Sequence, residues 1–286
     1  MILAIVGPTG VGKTKLSIEL AKIYNAIIVN CDAVQVYQEL NIGSAKGTEE
    51  EKENIPHFLL DFVSPNERYT VYNYQKDLRK ILEDNKEKNI ILVGGTGLYL
   101  KAGLYDYDFK VESESNTYEN LSNEELYHLA LQKDKSCSIH PNNRKRLVRF
   151  LNKDGKEEKA SPKPLYEATY IGLTTDRENL YNIINKRVEI MFQNGLLEEA
   201  KTLFSKYPNS TILNSAIGYK ELKQYFSNEI SLEEAKELIK KNSRHYAKRQ
   251  YTWFNNQMEI KWFDVDFNDF SKTSKEIVEY IENQKK

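Results

Sequence analysis

Residues 7–14 carry the residue types most suited to chemistry in this chain. They read Gly-Pro-Thr-Gly-Val-Gly-Lys-Thr and directly follow the apolar run 2–6. Glycines at this spacing let backbone N–H groups surround a di- or triphosphate, while the lysine supplies positive charge and the threonine hydroxyl can bind Mg²⁺. A helix starting here would add the positive end of its dipole. We predict a diphosphate- or nucleotide-binding loop at Gly7, Pro8, Thr9, Gly10, Val11, Gly12, Lys13 and Thr14, with Mg²⁺ at Thr14. The alternative is a glycine turn that only joins a strand to a helix.

A second candidate residue, Asp32, follows the next apolar run, residues 26–30. If that run is a strand beside the loop, the Asp32 carboxylate lies near bound phosphates. There it can bind Mg²⁺ or accept a proton from an attacking nucleophile. An Asp after a strand is also a common turn or capping residue, so its position leaves these roles open. Asp61 ends another apolar run and is an alternative carboxylate for the metal.

The elements that must position these residues follow from hydrophobic patterning. Short apolar runs alternate with helical patterns, which is typical of a parallel sheet covered by helices. The runs are residues 2–6, 26–30, 58–63, 90–93 and 169–173. Beyond them the pattern is helical, with capping signals at 175–178 and 231–234. We predict an α/β fold in which a P-loop parallel sheet is flanked by helices, with a small mostly helical insert and a helical C-terminal part.

The insert is predicted from a change in composition. Residues 105–134 are polar and acidic and end in a short amphipathic stretch. Ligands of open α/β sheets bind at the carboxyl ends of the strands. We therefore expect a core of residues 1–107 and 138–286, and an insert of residues 108–137 over the active-site cleft. Residues 153–159 are too charged to pack and are predicted to form a loop.

Composition excludes several classes of protein. The 286 residues include 41 basic and 42 acidic side chains, so any RNA site must be a local patch. No apolar stretch approaches the ~18 residues that a membrane span needs, and we expect a cytoplasmic protein. The two cysteines and four histidines lack the spacing of a disulfide framework or a zinc site. No protein partner is implied.

Two basic segments are candidates for such an RNA patch. Residues 144–149 include Lys145, Arg146 and Arg149, and residues 244–254 interleave Arg244, Lys248 and Arg249 with aromatic side chains. Basic residues among aromatics suit single-stranded loops, where bases stack on rings and phosphates meet cations. The alternative for the first segment is a solvated basic face. In the second segment we assign Trp253 and Phe254 to the core, and Lys248 and Arg249 to RNA.

Seven blocks of the sequence together resemble the tRNA dimethylallyltransferase family. They are residues 7–14, 32–37, 41–46, 94–99, 140–143, 216–221 and 247–254. Each block is modest alone, but all occur in the family's order between residue 1 and about residue 262. Ala33 departs from the family pattern, which usually has serine there, and no Cys/His finger follows Phe254.

The resemblance implies transfer of a dimethylallyl group from dimethylallyl diphosphate to N6 of the adenosine next to the anticodon of tRNA, with release of pyrophosphate. It implies catalytic roles for Asp32 as the base, Lys13 at the leaving group and Thr96 near the bridging oxygen. Mg²⁺ at Thr14 is the implied cofactor, and the partners are the tRNA anticodon stem-loop and dimethylallyl diphosphate. The implied tRNA contacts are Asp32, Ala33, Val34, Gln35, Lys145, Arg146, Arg149, Arg244, Lys248 and Arg249.

Three other functions are compatible with parts of this pattern. An adenylate isopentenyltransferase would use the same loop and base on free AMP, ADP or ATP. A small-molecule kinase would need only the loop and would consume ATP, and an RNA-binding adaptor would bind tRNA without turnover. The two basic segments favour a polymeric substrate.

Overall fold

The computed structural model describes residues 1–107, 118, 120–152 and 163–284. The chain divides into two compact units, a larger one of Met1–Leu104 with Tyr166–Lys286 and a smaller one of Tyr105–Leu165. The larger unit contains a six-stranded parallel sheet flanked by helices, which confirms the predicted α/β class.

All strands of the sheet run parallel, in the order β3-β2-β4-β1-β5-β6. The strands are β1 (Ile2–Val6), β2 (Ala26–Asn30), β3 (His57–Phe58), β4 (Asn89–Val93), β5 (Thr169–Thr174) and β6 (Lys261–Asp264). The central strands are almost continuously apolar because helices cover both faces of the sheet.

Two of these strands differ from the prediction. The run 58–63 was expected to be a strand, but β3 stops at Phe58 because Leu59 and Asp61 take left-handed backbone angles of φ 55° and 58°. The edge strand β6 was not predicted, since its four residues are only partly buried and carry little apolar signal.

The helices lie in both units. They are α1 (Lys13–Tyr24), α2 (Glu49–Lys52), α3 (Val71–Asp84), α4 (Gly97–Leu104), α5 (Asn123–Lys133), α6 (Arg144–Asn152), α7 (Arg177–Gln193), α8 (Leu196–Lys206), α9 (Tyr219–Phe226), α10 (Leu232–Gln257) and α11 (Phe270–Gln284). Among the described helices, none is both long and apolar enough to cross a membrane.

Two apolar clusters in the described part of the larger unit hold the elements around the site in place. One packs α1 and α11 against the sheet through residues such as Leu16 and Ile277. The other joins the segment after β2 to helices α7–α10 through Val36, Leu203 and Tyr219. The second cluster fixes the helical C-terminal part beside the carboxyl end of β2.

The smaller unit is built on α5 and α6, which share an apolar cluster that includes Leu126, Leu147 and Phe150. The insert was predicted at 108–137, with residues 138–165 in the core. In the structure α6 packs on α5, because the apolar side chains of α6 are buried against Leu126 and its neighbours. Residues 108–117 and 119 of the predicted insert, and the predicted loop at 153–159, lie outside the described residues.

Candidate active site

Three segments meet at the carboxyl ends of neighbouring strands. Residues 7–14, which we call the glycine loop, follow β1, Asp32 follows β2, and Gly94 follows β4, which lies between them. Backbone hydrogen bonds join the segments: the Cys31 N–H donates to Val93 O at 2.8 Å, and the Thr96 N–H donates to Cys31 O at 3.1 Å. A Cβ on Gly94 would lie 2.3 Å from the Cys31 carbonyl carbon, so only glycine permits this approach.

The glycine loop leads directly into α1. Gly12 has φ 88°, which glycine adopts readily, and the helix begins at Lys13. The Lys13 ammonium donates to Pro8 O at 2.6 Å, within the loop itself. The middle of the loop faces α7, since a Cβ on Gly10 would lie 2.8 Å from Cγ2 of Ile183. Helix α7 therefore passes against the loop, which the sequence pattern does not indicate.

The carboxylate of Asp32 is held by its own turn. Its Oδ1 accepts the N–H groups of Val34 at 2.8 Å and Gln35 at 3.3 Å. The buried Asn30 amide accepts the Asp32 N–H at 3.2 Å and donates to the Asp32 carbonyl at 3.2 Å. No described residue donates a hydrogen bond to Oδ2. Asp32 thus forms a turn and still keeps one carboxylate oxygen for another partner.

A cavity of about 880 Å³ in the larger unit joins these groups. Its wall includes Thr9, Gly10, Gly12, Lys13 and Thr14 of the glycine loop, and also Asp32, Val34 and Gln35. Of the other predicted residues, Val11 is fully buried in the core, and Gly7, Pro8 and Ala33 lie outside the cavity wall. Helices α7 and α10 also line the cavity, and they contribute both apolar side chains such as Ile184 and polar ones such as Arg187 and Gln250.

Arg187 on α7 is the functional candidate that sequence reasoning missed. It lines the cavity with Lys13 and Asp32. The pKa of Lys13 is lowered to about 7, chiefly by burial and also by the charge of Arg187, while the charge of Asp32 partly opposes these effects. Burial also lowers the pKa of Arg187, again opposed by Asp32. Two cations facing one carboxylate in a cavity favour a bound anion.

The predicted catalytic residue Thr96 lies beside Asp32 but outside the cavity wall. Its Oγ1 accepts the Ala33 N–H at 3.1 Å and also shares a hydrogen bond with the Tyr246 hydroxyl. Burial, assisted by the charge of Asp32, raises the pKa of Tyr246 to about 12, so its hydroxyl stays neutral. A role for Thr96 at a bridging oxygen stays a prediction.

Gln250 on α10 closes the same side of the cavity. Its Nε2 donates to Gly95 O at 3.0 Å. Its Oε1 is buried and has no hydrogen-bond partner among the described residues. Phe254, one turn further, is 1% exposed, which confirms its assignment to the core. Trp253 is partly buried and packs against Gly97.

The predicted RNA-binding residues separate into two groups. Lys145, Arg146 and Arg149 are exposed on α6 in the smaller unit, where the neighbouring Arg144 donates to the Tyr118 carbonyl at 2.9 Å and to that of Leu121. In the larger unit, Lys248 and Arg249 are exposed on α10, and Arg249 lines the cavity. Arg244 instead donates to Asn185 on α7 at 2.6 Å, and so connects two helices.

The candidate metal ligands also differ in position. Thr14 and Asp32 line the cavity, whereas Asp61 lies outside its wall and forms an ion pair with Lys46. Among the described residues there is no cluster of three or more His, Cys, Asp or Glu side chains that could hold a metal ion. Any Mg²⁺ in the cavity would therefore need ligands from a bound substrate as well.

Together, the fold and the site define an α/β protein whose glycine loop, at the end of the first strand, borders a cavity lined by charged and apolar side chains. A profile of the IPP transferase family matches residues 35–257. The chain belongs to this family, which confirms the resemblance seen in its seven sequence blocks.

Curated relatives and solved structures agree with this assignment. The tRNA dimethylallyltransferase of Fusobacterium nucleatum is 48% identical over 277 residues, which cover 92% of this chain and 91% of that protein. The tRNA dimethylallyltransferase of Bacillus mycoides is 44% identical over an alignment of 303 positions, which covers 99% of this chain and 95% of that protein. The tRNA delta(2)-isopentenylpyrophosphate transferase of Staphylococcus epidermidis has a TM-score of 0.77 and 38% identity, with 99% of both chains covered. A eukaryotic dimethylallyltransferase acting on tRNA has a TM-score of 0.82 and 27% identity, with coverage of 99% of this chain and 78% of that one.

Proposed function

We propose that this protein transfers a dimethylallyl group from dimethylallyl diphosphate to N6 of the adenosine next to the anticodon of tRNA, and releases pyrophosphate. The observation that carries the proposal is the convergence of Asp32, Lys13 and Arg187 in one cavity of about 880 Å³. The names of its relatives, which are tRNA dimethylallyltransferases, support the choice of substrates.

The diphosphate is assigned to the glycine loop and the two cations. When the bond between C1 of the allyl group and the diphosphate oxygen breaks, negative charge develops on the leaving group. With the diphosphate in the glycine loop, the backbone N–H groups of the loop, Lys13 and Arg187 would surround this charge, because these residues line the same cavity. Fixed donors and cations in a partly desolvated cavity stabilise such charge more strongly than water does.

We assign Asp32 as the base that accepts a proton from N6 of the adenosine. The exocyclic amine of adenine is a weak nucleophile, because its lone pair is delocalised into the ring. As the new bond from N6 to C1 forms, one N6 proton moves to Oδ2 of Asp32, the oxygen without a hydrogen-bond partner among the described residues. Such positioned proton transfer contributes about 10²–10⁴ to a rate.

The residues around the loop fit Mg²⁺. The Thr14 hydroxyl is a hard oxygen donor of the kind that this ion prefers, and it lines the cavity beside Lys13. Bound Mg²⁺ would neutralise charge on the diphosphate. Thr14 would hold the ion together with diphosphate oxygens, whereas Asp61 is engaged by Lys46.

A polymeric substrate is favoured by exposed cations near the cavity. Arg249 lines the cavity and lies over the Tyr246 ring at 5.7 Å, and Lys248 is exposed beside it. We assign these residues to phosphates of the anticodon stem-loop. A tRNA substrate also favours the cytoplasm as the site of action, which cell fractionation would test.

The test is to incubate the protein with labelled dimethylallyl diphosphate and unmodified tRNA, with AMP and ATP in parallel reactions. Label should enter tRNA at the adenosine next to the anticodon, and ATP should not be consumed. D32N should lower kcat by about 10²–10⁴ while tRNA binding changes little. D84N, which alters an exposed aspartate on α3, serves as the matched control. Label in AMP but not in tRNA would contradict the proposal.

A further inference from the structure

A carboxylate on α8 binds the loop of residues 41–47, which follows the Asp32 segment. One oxygen of Glu199 accepts the N–H groups of Asn41 at 3.0 Å and Ile42 at 2.8 Å, and the other accepts the Gly43 N–H at 3.0 Å. Three consecutive N–H groups that converge on one anion form a backbone nest. Hydrogen bonds to a charged acceptor are roughly twice as strong as neutral ones, so Glu199 fixes the start of this loop.

Tyr219 on α9 supports the same carboxylate from the protein interior. Its fully buried hydroxyl donates to Glu199 at 2.7 Å. Burial raises the pKa of Tyr219, and the charge of Glu199 raises it further, so the hydroxyl remains a donor. A Cβ on Gly43 would lie 2.6 Å from the hydroxyl oxygen, so the loop approaches the tyrosine as closely as glycine allows.

The fixed loop in turn holds a side chain of the cavity. Nε2 of Gln35 donates to the carbonyls of Ser44 at 3.0 Å and Ala45 at 3.2 Å. Gln35, Ser44 and Ala45 all line the cavity that contains Asp32. The direction of the Gln35 amide therefore depends on where Ser44 and Ala45 lie, and Glu199 binds the three residues that precede them.

We infer that Glu199 is a positioning residue for the tRNA nucleotide: it fixes the loop of residues 41–47, which orients Gln35. The inference rests on the proposed function, in which Gln35 contacts tRNA. Among the described residues, the hydrogen bonds of Glu199 join it to this loop and to Tyr219, and none joins it to the glycine loop. Its removal should therefore impair the use of tRNA and spare the use of dimethylallyl diphosphate.

The experiment compares E199Q with E198Q in steady-state assays of prenyl transfer. The E199Q amide presents an NH₂ group where the nest needs an acceptor, whereas Glu198 is an exposed neighbour on the same helix. We expect E199Q to raise KM for tRNA about tenfold, equivalent to about 1.4 kcal/mol. KM for dimethylallyl diphosphate should stay within about twofold, and E198Q should match the wild type in both constants.

A double-mutant cycle with Q35A separates positioning from general destabilisation. If Glu199 acts through Gln35, the effect of E199Q on KM for tRNA should shrink to about twofold in the Q35A background. An undiminished effect, or an equal rise in both KM values, overturns the inference.

The Y219F variant tests the inference if E199Q does not fold, and the control proteins separate this inference from the proposed function. Y219F removes the hydrogen bond to Glu199 and the contact of the same hydroxyl with the Gly43 N–H, and it should raise KM for tRNA about threefold. If E199Q does not fold, an unchanged KM for tRNA in Y219F overturns the inference. Failure of the wild type and E198Q to label tRNA would count against the proposed function itself.

Discussion

At the scale of residues, the central feature is a cavity lined by two basic side chains, Lys13 and Arg187, and the carboxylate of Asp32. Lys13 was predicted from the GxxxxGKT spacing, because that motif specifies a local loop. Arg187 could not be predicted, since α7 reaches the glycine loop only through tertiary packing, by contact of Ile183 with Gly10. An arginine within an amphipathic helix is ordinarily a surface residue, and its sequence neighbours give no other signal.

The low pKa of Lys13 predicts that binding of pyrophosphate is coupled to protonation of the Lys13 side chain. The pKa of Lys13 is about 7 without ligand. At pH 8 about nine in ten of these side chains are neutral, and a bound diphosphate would raise the pKa and charge them. Binding of pyrophosphate at pH 8 should therefore take up about 0.9 proton more in the wild type than in K13R, whose guanidinium is always protonated. Calorimetry in buffers of different ionisation enthalpy measures this difference.

The comparison with K13R cancels the protonation of pyrophosphate itself, because the ligand is the same in both titrations. The difference should vanish near pH 5, where Lys13 is already charged in the unliganded protein, and should grow as the pH rises above 7. Equal proton uptake by the two proteins at pH 8 would show that Lys13 is charged before the ligand arrives.

At the scale of elements, the hydrophobic pattern of the sequence predicted the strands that carry the site. It did not predict the edge strand or the partner of α6, which depend on tertiary packing. Strands β1, β2, β4 and β5 were predicted because they are buried on both faces and read as continuous apolar runs. Strand β6 lies at the edge, so its partly exposed residues give no such run. The helix pair α5 and α6 was divided between insert and core, because the composition of α6 does not reveal the partner of its apolar face.

The packing of α4 on α10 predicts that G97A destabilises the protein, although alanine has the higher helix propensity. Alanine is a better helix former than glycine by about 1 kcal/mol, which would favour G97A in α4. However, a Cβ at this position would lie 2.0 Å from Cε3 of Trp253. Overpacking of this kind costs about 1–3 kcal/mol, so we expect G97A to lower the midpoint of thermal unfolding by roughly 4 °C.

The matched control for this prediction is G47A. A Cβ on Gly47 would meet its nearest neighbour, Oε2 of Glu51, at 3.5 Å, an ordinary contact. Its midpoint should stay within roughly 1 °C of the wild type. A G97A midpoint at or above that of G47A would mean that Trp253 moves aside at little cost.

At the scale of the whole molecule, near-neutral charge restricts how the protein can bind RNA. With 41 basic and 42 acidic residues, no overall field attracts a polyanion, and binding must come from local clusters. The described residues provide one such cluster in each unit, at α6 and at the C-terminal half of α10. Only the second cluster contains a residue that lines the cavity, Arg249, so the two should contribute differently to binding and to transfer.

The cluster on α6 should therefore supply affinity for tRNA without affecting the chemistry. Lys145 and Arg149 are exposed and share a helical face. If both contact phosphates, K145E/R149E should weaken tRNA binding and lower the slope of log K against log salt by about 2. Pyrophosphate affinity should not change, because the residues assigned to the diphosphate, the glycine loop and Arg187, lie in the larger unit. K272E/K275E reverses two exposed charges on α11 and controls for net charge. Filter binding across a salt series would refute the assignment if both double variants lost affinity and salt slope equally, because net charge alone would then explain the loss.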